Sequence, residues 1–146
     1  MEKDAKANYR FHKNFNITLK SHATRILMNR KQVIGRWGEK IATEYLVKKG
    51  YRMLATNVRT PYGEIDLLCQ RESQIVFVEV KTRTSNTFGY PEDSVTPRKQ
   101  AHMLSSAEHY LQEHEIDGDW QCDVIAVEGS PGGKPPRITH FENVLS

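Results

Sequence analysis

Residues 63–83 read GEIDLLCQRESQIVFVEVKTR, and this stretch decides the fold that the sequence predicts. Two runs rich in β-favouring residues, 64–69 and 75–82, are separated by the polar segment 70–74. This pattern predicts two neighbouring strands joined as a hairpin. In the second run the side chains alternate: one face is expected to carry Val76, Val78 and Val80, and the other Ile75, Phe77, Glu79 and Lys81. Both faces are apolar over most of the length, so we expect that strand in the middle of a sheet rather than at its edge.

Two polar residues, Glu79 and Lys81, interrupt the apolar second strand. Placing them there costs several kcal/mol in lost hydration unless something compensates. A hairpin centred between residues 72 and 73 puts Asp66 directly opposite Glu79, where two carboxylates repel each other unless a cation lies between them. Because a hard divalent cation prefers carboxylate oxygens, the pattern predicts a metal site. Lys81 is placed to stabilise a phosphate or to orient the attacking water.

A second interpretation of these residues stays open. Lys81 can instead neutralise Asp66 and Glu79 in a partly buried ion-pair network that binds no ligand. Glu64 also allows two interpretations, because it either faces the same pocket or forms a salt bridge with Arg59 on the preceding strand.

The segment upstream of the hairpin predicts an amphipathic helix that begins near Val33 and is followed by a strand. Gly50 is placed to end this helix, residues 51–58 predict the first strand, and residues 61–63 predict a turn. Apolar residues recur along the helix at steps of three and four, at Ile34, Trp37, Ile41, Ala42, Tyr45 and Leu46.

Downstream of the hairpin, residues 84–98 predict a loop, and the apolar spacing from Lys99 onward predicts a second amphipathic helix. Residues 120–127 predict a further strand, and residues 138–141 predict a short last one. This order of elements predicts an α/β fold with a mixed central β-sheet flanked by α-helices.

Composition predicts one domain behind a basic arm. The chain has 146 residues, enough to bury a single core. Residues 1–32 hold eight Lys and Arg against two acids, hence a net charge of +6, and they lack a sustained period. We therefore expect a basic, flexible N-terminal arm over residues 1–32 and a single folded domain over residues 33–146. That domain holds thirteen basic and sixteen acidic residues, hence −3, which leaves no broad basic surface for a duplex.

Cysteine use and hydropathy exclude several classes of protein. The two cysteines, Cys69 and Cys122, lie far apart in apolar runs, which is unlike a disulfide scaffold or a four-ligand zinc site. No apolar run approaches the ~20 residues that a membrane span needs, and the N-terminus has no signal-peptide pattern. We expect a cytoplasmic protein with no membrane association.

Two segments resemble the split motif of the PD-(D/E)xK nuclease superfamily, whose members have a restriction-endonuclease-like fold. They are Gly63-Glu64-Ile65-Asp66-Leu67 and Phe77-Val78-Glu79-Val80-Lys81-Thr82-Arg83. More narrowly, the chain resembles the YraN-like family of small bacterial predicted endonucleases. That likeness covers residues 35–127 and continues in Gly38-Glu39, Ala42, Tyr45-Leu46, Gly50-Tyr51, Asn57, Arg59, Phe88-Gly89 and Cys122-Asp123-Val124-Ile125.

The resemblance implies that Asp66 and Glu79 are ligands of Mg²⁺ or Mn²⁺ and that Lys81 is the catalytic lysine. Glu39 matches the acid that Holliday-junction resolvases carry on their first helix, so it is expected to complete the metal site directly or through water. Arg83 is expected to reach a substrate phosphate, and Lys99 matches a helix position where superfamily members often supply a supporting polar residue. The implied activity is hydrolysis of phosphodiester bonds in nucleic acid, with DNA favoured over RNA and with branched or damaged DNA as candidate substrates.

Two other functions fit the same residues. One is a non-catalytic module that has a nuclease-like fold and binds nucleic acid. The other is a protein-interaction scaffold in which the acids and Lys81 are structural. Resolvase-like relatives often act as dimers, so the resemblance leaves a homodimer open.

Overall fold

The computed structural model describes residues 29–84 and 95–145. Most of the predicted arm and most of the predicted loop over residues 84–98 lie outside this part of the chain. The elements follow in the order α1 (Arg30–Lys48), β1 (Arg52–Thr60), β2 (Gly63–Arg71), β3 (Gln74–Arg83), α2 (Pro97–Glu113), β4 (Trp120–Glu128) and β5 (Arg137–Phe141).

The five strands form one mixed sheet in the order β1-β2-β3-β4-β5. Neighbouring strands are antiparallel except for β3 and β4, which are parallel. Because parallel neighbours need a crossover connection, α2 carries the chain from the end of β3 to the start of β4. The predicted α/β fold with a mixed sheet is thereby confirmed, as is the central position of β3.

Each helix packs against its own face of the sheet. Val76 and Val78 of β3 belong to the core under α1, while Ile75 and Phe77 belong to the core under α2. This division confirms the predicted alternation of side chains along β3. The α1 core contains the buried residues Ala42, Leu46, Tyr51, Met53, Leu67, Cys69, Val76, Val78, Ile125 and Val127. The α2 core contains Ile65, Leu68, Ile75, Phe77, Ala107, Tyr110, Leu111 and Cys122.

Helix α1 begins at Arg30, three residues earlier than the apolar period indicates. Its start is set by a capping box, in which the Asn29 side chain accepts a hydrogen bond from the Gln32 N–H and the Gln32 side chain accepts one from the Asn29 N–H. At the other end Gly50 has a φ of +92°, and the Tyr51 N–H donates to the Leu46 carbonyl at 3.0 Å. This glycine-dependent ending confirms the predicted role of Gly50.

Helix α1 comes unusually close to β3 at Gly38. A Cβ atom added at this glycine would overlap the side chain of Thr82. The absence of a side chain at position 38 therefore sets how near the following residue, Glu39, lies to the sheet.

Both cysteines are buried and unpaired. None of the helices in residues 29–84 and 95–145 has the length and apolarity needed to cross a membrane.

Candidate active site

The predicted hairpin register is confirmed up to the edge of the site. Five pairs, from Arg71–Gln74 to Leu67–Val78, follow a hairpin centred between residues 72 and 73. Regular pairing ends there, one position before Asp66 and Glu79. At that point the Val80 N–H donates to the Asp66 carboxylate at 2.8 Å. The Asp66 side chain thus takes the place of a backbone carbonyl as the acceptor for the Val80 N–H. As a result, Asp66 is held against the backbone of β3.

The strand on the other side of β2 is also irregular beside Asp66. Pairing between β1 and β2 runs from Thr56–Leu67 to Val58–Ile65 and omits Asn57 and Asp66. Asn57 has a φ of +50°, in the left-handed region that asparagine tolerates better than most residues. Its side chain is hydrogen-bonded to Glu39 of α1. Asn57 is therefore a residue of the site to which the sequence analysis gave no role, although it lay within the resemblance.

A cleft of about 630 Å³ opens where β2, β3 and the first half of α1 meet. It brings together Glu39, Asp66, Glu79 and Lys81, the four residues predicted to be catalytic. The rest of its lining consists of Arg30, Lys31, Ile34, Gly35, Val80, Thr82 and Thr84. Three elements distant in sequence therefore meet at one concave surface.

The charges in the cleft are unevenly paired. The Lys81 ammonium lies 2.9 Å from a carboxylate oxygen of Glu79, and both side chains are mostly buried. Carboxylate oxygens of Glu39, Glu64 and Asp66 lie within 4.8 Å of one another. Within the described part of the chain, no ion pair joins any of these three acids to a Lys or Arg. The structure thus shows three clustered acids beside one neutralised acid.

Burial and the neighbouring charges act on the acids in the same direction. Burial, reinforced by the charge of Glu79, raises the pKa of Asp66 to about 7, and the hydrogen bond from Val80 only partly opposes this. Burial also raises the pKa of Glu39, with the Asn57 hydrogen bond working against the shift. Both carboxyl groups are therefore less acidic than usual, as expected where carboxylates are buried close to one another.

Lys81 stays charged in this setting. Burial acts to lower the pKa of Lys81, but its contact with Glu79 outweighs burial and raises the pKa. Because the ammonium is held by Glu79, Lys81 is a fixed positive charge at the edge of the acidic cluster.

Glu64 faces the candidate site. Glu64 and Arg59 are register partners on β2 and β1, but the structure shows no salt bridge between them in the region it describes. The carboxylate of Glu64 instead joins Glu39 and Asp66. Glu64 is exposed and does not line the cleft itself, but its carboxylate lies with those of Glu39 and Asp66 and forms no salt bridge with Arg59.

The two residues predicted to bind substrate lie beside the cleft and are not part of its lining. Arg83 is a half-buried residue at the end of β3. Lys99, in the first turn of α2, is exposed and lies next to Lys81, whose charge lowers the pKa of Lys99. Both residues are therefore near the carboxylates without belonging to their cluster.

A second polar cluster lies away from the cleft, around Asp123 on β4. Asp123 is fully buried, and its carboxylate lies 2.7 Å from Nε2 of His140 on β5. The other Asp123 oxygen accepts hydrogen bonds from the Gln121 side chain and the Asn143 N–H, both at 2.9 Å. The acid is well satisfied by protein groups and joins the C-terminal segment to the sheet. His140, 17 residues away in sequence, gave no signal in the sequence analysis.

The region that contains the site is shared with other proteins. A model of the uncharacterised protein family UPF0102 matches residues 38–127, which include every predicted site residue. A UPF0102 protein of Syntrophomonas wolfei is 53% identical over 119 residues, which cover 81% of this chain and 100% of that protein. A UPF0102 protein of Dehalococcoides mccartyi is 42% identical, with 80% of this chain and 95% of that protein covered. One of Alkaliphilus oremlandii is also 42% identical, with 81% and 100% covered.

Proposed function

The chain belongs to the uncharacterised protein family UPF0102, and we propose that it is a Mg²⁺- or Mn²⁺-dependent nuclease of the PD-(D/E)xK type. On this proposal it also belongs to the YraN-like group and hydrolyses phosphodiester bonds inside DNA, with branched or damaged DNA as candidate substrates.

One observation carries the proposal. The acids Glu39, Glu64 and Asp66 are held within 4.8 Å of one another, while the lysine of the cleft is paired with Glu79. An ion-pair network explains Glu79 and Lys81, but in the described part of the chain the other three carboxylates form no ion pair with a Lys or Arg. Because repulsion between such carboxylates opposes folding, the arrangement is better explained by a ligand that is itself a cation.

The donor atoms fit a hard divalent cation. All are carboxylate oxygens, the ligand type that Mg²⁺ and Mn²⁺ prefer, and the cleft is open enough to admit water and a phosphate. Asp66 and Glu39 would hold the ion together with Glu64, and Glu79 would complete the site with the carboxylate oxygen that does not pair with Lys81. When bound, such an ion supplies charge neutralisation at the phosphate and makes a water molecule more acidic.

The protein groups have separate roles in the proposed reaction. The Val80 N–H donates a hydrogen bond to one oxygen of Asp66. This bond fixes the orientation of the whole carboxylate against β3, and so it also fixes the direction of the other oxygen. Lys81, kept charged by Glu79, would stabilise the negative charge that develops on the phosphate or orient the attacking water. Arg83 and Lys99 lie beside the cleft and would pair with neighbouring phosphates of the substrate.

A non-catalytic nucleic-acid-binding module is the alternative. It is favoured by the charge distribution, because the basic residues are concentrated in residues 1–32 and the rest of the chain has a net charge of −3. Such a protein would retain backbone affinity through its arm without turnover.

Cleavage assays separate these functions. Single-stranded, linear duplex and four-way-junction DNA are incubated with the protein in Mn²⁺, Mg²⁺ or EDTA. We expect metal-dependent cutting by the wild type and at least a hundredfold loss in Asp66→Asn and Lys81→Met, since each removes a group from the reacting centre. The variant Glu39→Gln is compared with the control variant Glu44→Gln. Glu44 is an exposed acid on the same helix, so Glu44→Gln should cut DNA like the wild type.

Each outcome has one meaning. Cutting that is lost in the Asp66 and Lys81 variants supports the enzyme. DNA binding without cutting on any substrate favours the binding module. No cutting, no binding and no rise in melting temperature with Mn²⁺ would leave the acids as a structural network and overturn the proposal.

A further inference from the structure

The turn between β1 and β2 carries an exposed aromatic ring at the same end of the sheet as the cleft. Tyr62 is 53% exposed and lies in the turn, two residues before Glu64 of the acidic cluster. Because β2 starts and β3 ends at this end of the sheet, the turn, the acids and Lys81 lie at one end of the molecule.

One contact of the Tyr62 ring and several contacts of the surrounding turn position this residue. The edge of the ring meets His109 of α2, with the two centroids 6.0 Å apart and the planes at 66°. His109 in turn lies 3.4 Å from the Glu113 carboxylate. The Tyr62 N–H donates to the Thr60 hydroxyl, which also lies 3.0 Å from the Ser106 hydroxyl. The turn is thus fastened to α2, and a ligand that stacks on the ring does not have to order it first.

The first half of α2, which leads from the cleft toward this ring, is free of acids. Residues 97–107 contain no Asp or Glu, and Arg98, Lys99 and His102 are exposed there, whereas Glu108 and Glu113 lie in the second half of the helix. Cations in a first helical turn oppose the helix macrodipole, so this distribution costs stability instead of adding to it. Binding of an anionic ligand along this half of the helix would explain why these basic side chains are placed there.

The two ends of this surface are separated by a distance that suits a short nucleic-acid segment. Lys99, next to Lys81 at the cleft, and His109, against Tyr62, are ten residues apart on one helix, which corresponds to about 15 Å. At roughly 3.4 Å per stacked nucleotide this length accommodates about four nucleotides. Phosphates can lie over the cations while a base reaches the ring.

We propose that Tyr62 and the first half of α2 form a track for an unpaired strand of DNA that leads into the cleft, with one base stacked on Tyr62. The occupant is unpaired because a base inside a duplex is covered on both faces and has no face left for a protruding side chain. This inference rests on the proposed function and makes single-stranded or locally unpaired DNA, such as the opened arm of a branched structure, its substrate class.

Fluorescence anisotropy with a labelled twelve-nucleotide single strand in EDTA tests the stacking without requiring turnover. Tyr62→Ala is expected to weaken binding about five- to tenfold, the lower end of the range for one stacked base at a partly exposed site. Tyr62→Phe keeps the ring and should bind like the wild type. An oligonucleotide with 2-aminopurine at successive positions should be quenched at one position by the wild type and not by Tyr62→Ala.

The charges of the track are tested by salt dependence. Arg98→Gln should reduce the slope of log affinity against log salt by about 1, because one phosphate contact is lost. Lys48→Gln is the matched control, since Lys48 is also exposed but lies in the last turn of α1, at the opposite end of that helix from the cleft. Equal slopes in the two variants would show that the strand does not follow α2.

The track and the nuclease activity can fail separately. Metal-dependent cleavage with no effect of Tyr62→Ala on binding or on quenching would remove the track and leave the enzyme. A binding defect in Tyr62→Ala without cleavage in any metal would leave the track and remove the enzyme. An equal defect on a blunt twelve-base-pair duplex would overturn the stacking role, and circular dichroism of each variant establishes that it is folded.

Discussion

Replacing Asp66 by asparagine should stabilise the metal-free protein, and it should do so increasingly as the pH rises. The carboxyl pKa is about 7 in the folded protein and 3.8 in a model peptide. A group whose pKa is raised by folding binds its proton more tightly in the folded state, so stability is highest at low pH and is lost as the pH rises from about 4 to about 7. Asparagine keeps an acceptor for the Val80 N–H and carries no charge.

The size of the effect follows from the same pKa values. Between pH 5 and pH 7 the unfolded carboxyl group is ionised while the folded one largely keeps its proton. Each pH unit in this window therefore costs the wild type about 1.4 kcal/mol, or roughly 3 kcal/mol in all. At about 4 °C per kcal/mol for a chain of this size, the melting temperature of Asp66→Asn relative to the wild type should rise by roughly 10 °C from pH 5 to pH 8.

Thermal unfolding followed by circular dichroism in EDTA at pH 5, 6, 7 and 8 measures this difference. Glu44→Gln, which removes an exposed acid, is the control and should show little change with pH. Adding Mn²⁺ at pH 8 should raise the melting temperature of the wild type and not that of Asp66→Asn, because a ligand stabilises only the folded form that binds it. If Asp66→Asn is less stable than the wild type by the same amount at every pH, then the carboxylate is compensated within the protein and the reasoning is refuted.

The remaining predictions concern the packing around the site. Gly38→Ala should lower the stability by about 1–3 kcal/mol and reduce metal-dependent cleavage, because the new methyl group would overlap Thr82 and move α1 away from the sheet. Gly35→Ala on the same helix meets no atom within 4 Å and should be neutral or slightly stabilising in chemical denaturation; equal losses in both variants would contradict the close-approach argument. Asp123→Asn should lower the stability by about 2–4 kcal/mol, because an amide cannot accept from all the donors that surround the carboxylate, His140 among them, while cleavage per folded molecule is retained. Lost cleavage at unchanged melting temperature would instead place Asp123 in the reaction.

The fold was predictable because its main determinants are local. The alternation of β3 and the hairpin centre between residues 72 and 73 follow from side chains that are near neighbours in sequence, and the structure confirms both. Gly50 ends α1 as predicted because a left-handed residue at that point needs only a glycine. The predicted start of α1 was three residues too late, because the polar residues of the capping box do not contribute to the apolar period.

The sequence singled out four residues that the structure brings together in one cleft, but it did not predict how their charges pair. A regular hairpin places Asp66 against Glu79, whereas in the structure the ladder stops and Asp66 accepts a hydrogen bond from the backbone of β3. Lys81 pairs with Glu79 alone. Which acid forms the ion pair with Lys81 depends on how β2 and β3 separate at the end of the sheet. No periodic pattern in the sequence encodes that separation.

The sequence by itself determined which elements form and which polar residues interrupt them, because both depend on neighbours along the chain. Only the tertiary structure decided that Glu39 from α1 and Glu64 and Asp66 from β2 form one acidic cluster. Only the tertiary structure joined Asp123 to His140 and Tyr62 to His109. The physical reason is that such contacts join elements far apart in the chain, and their distances are set by packing, such as the close approach at Gly38, that no local pattern records.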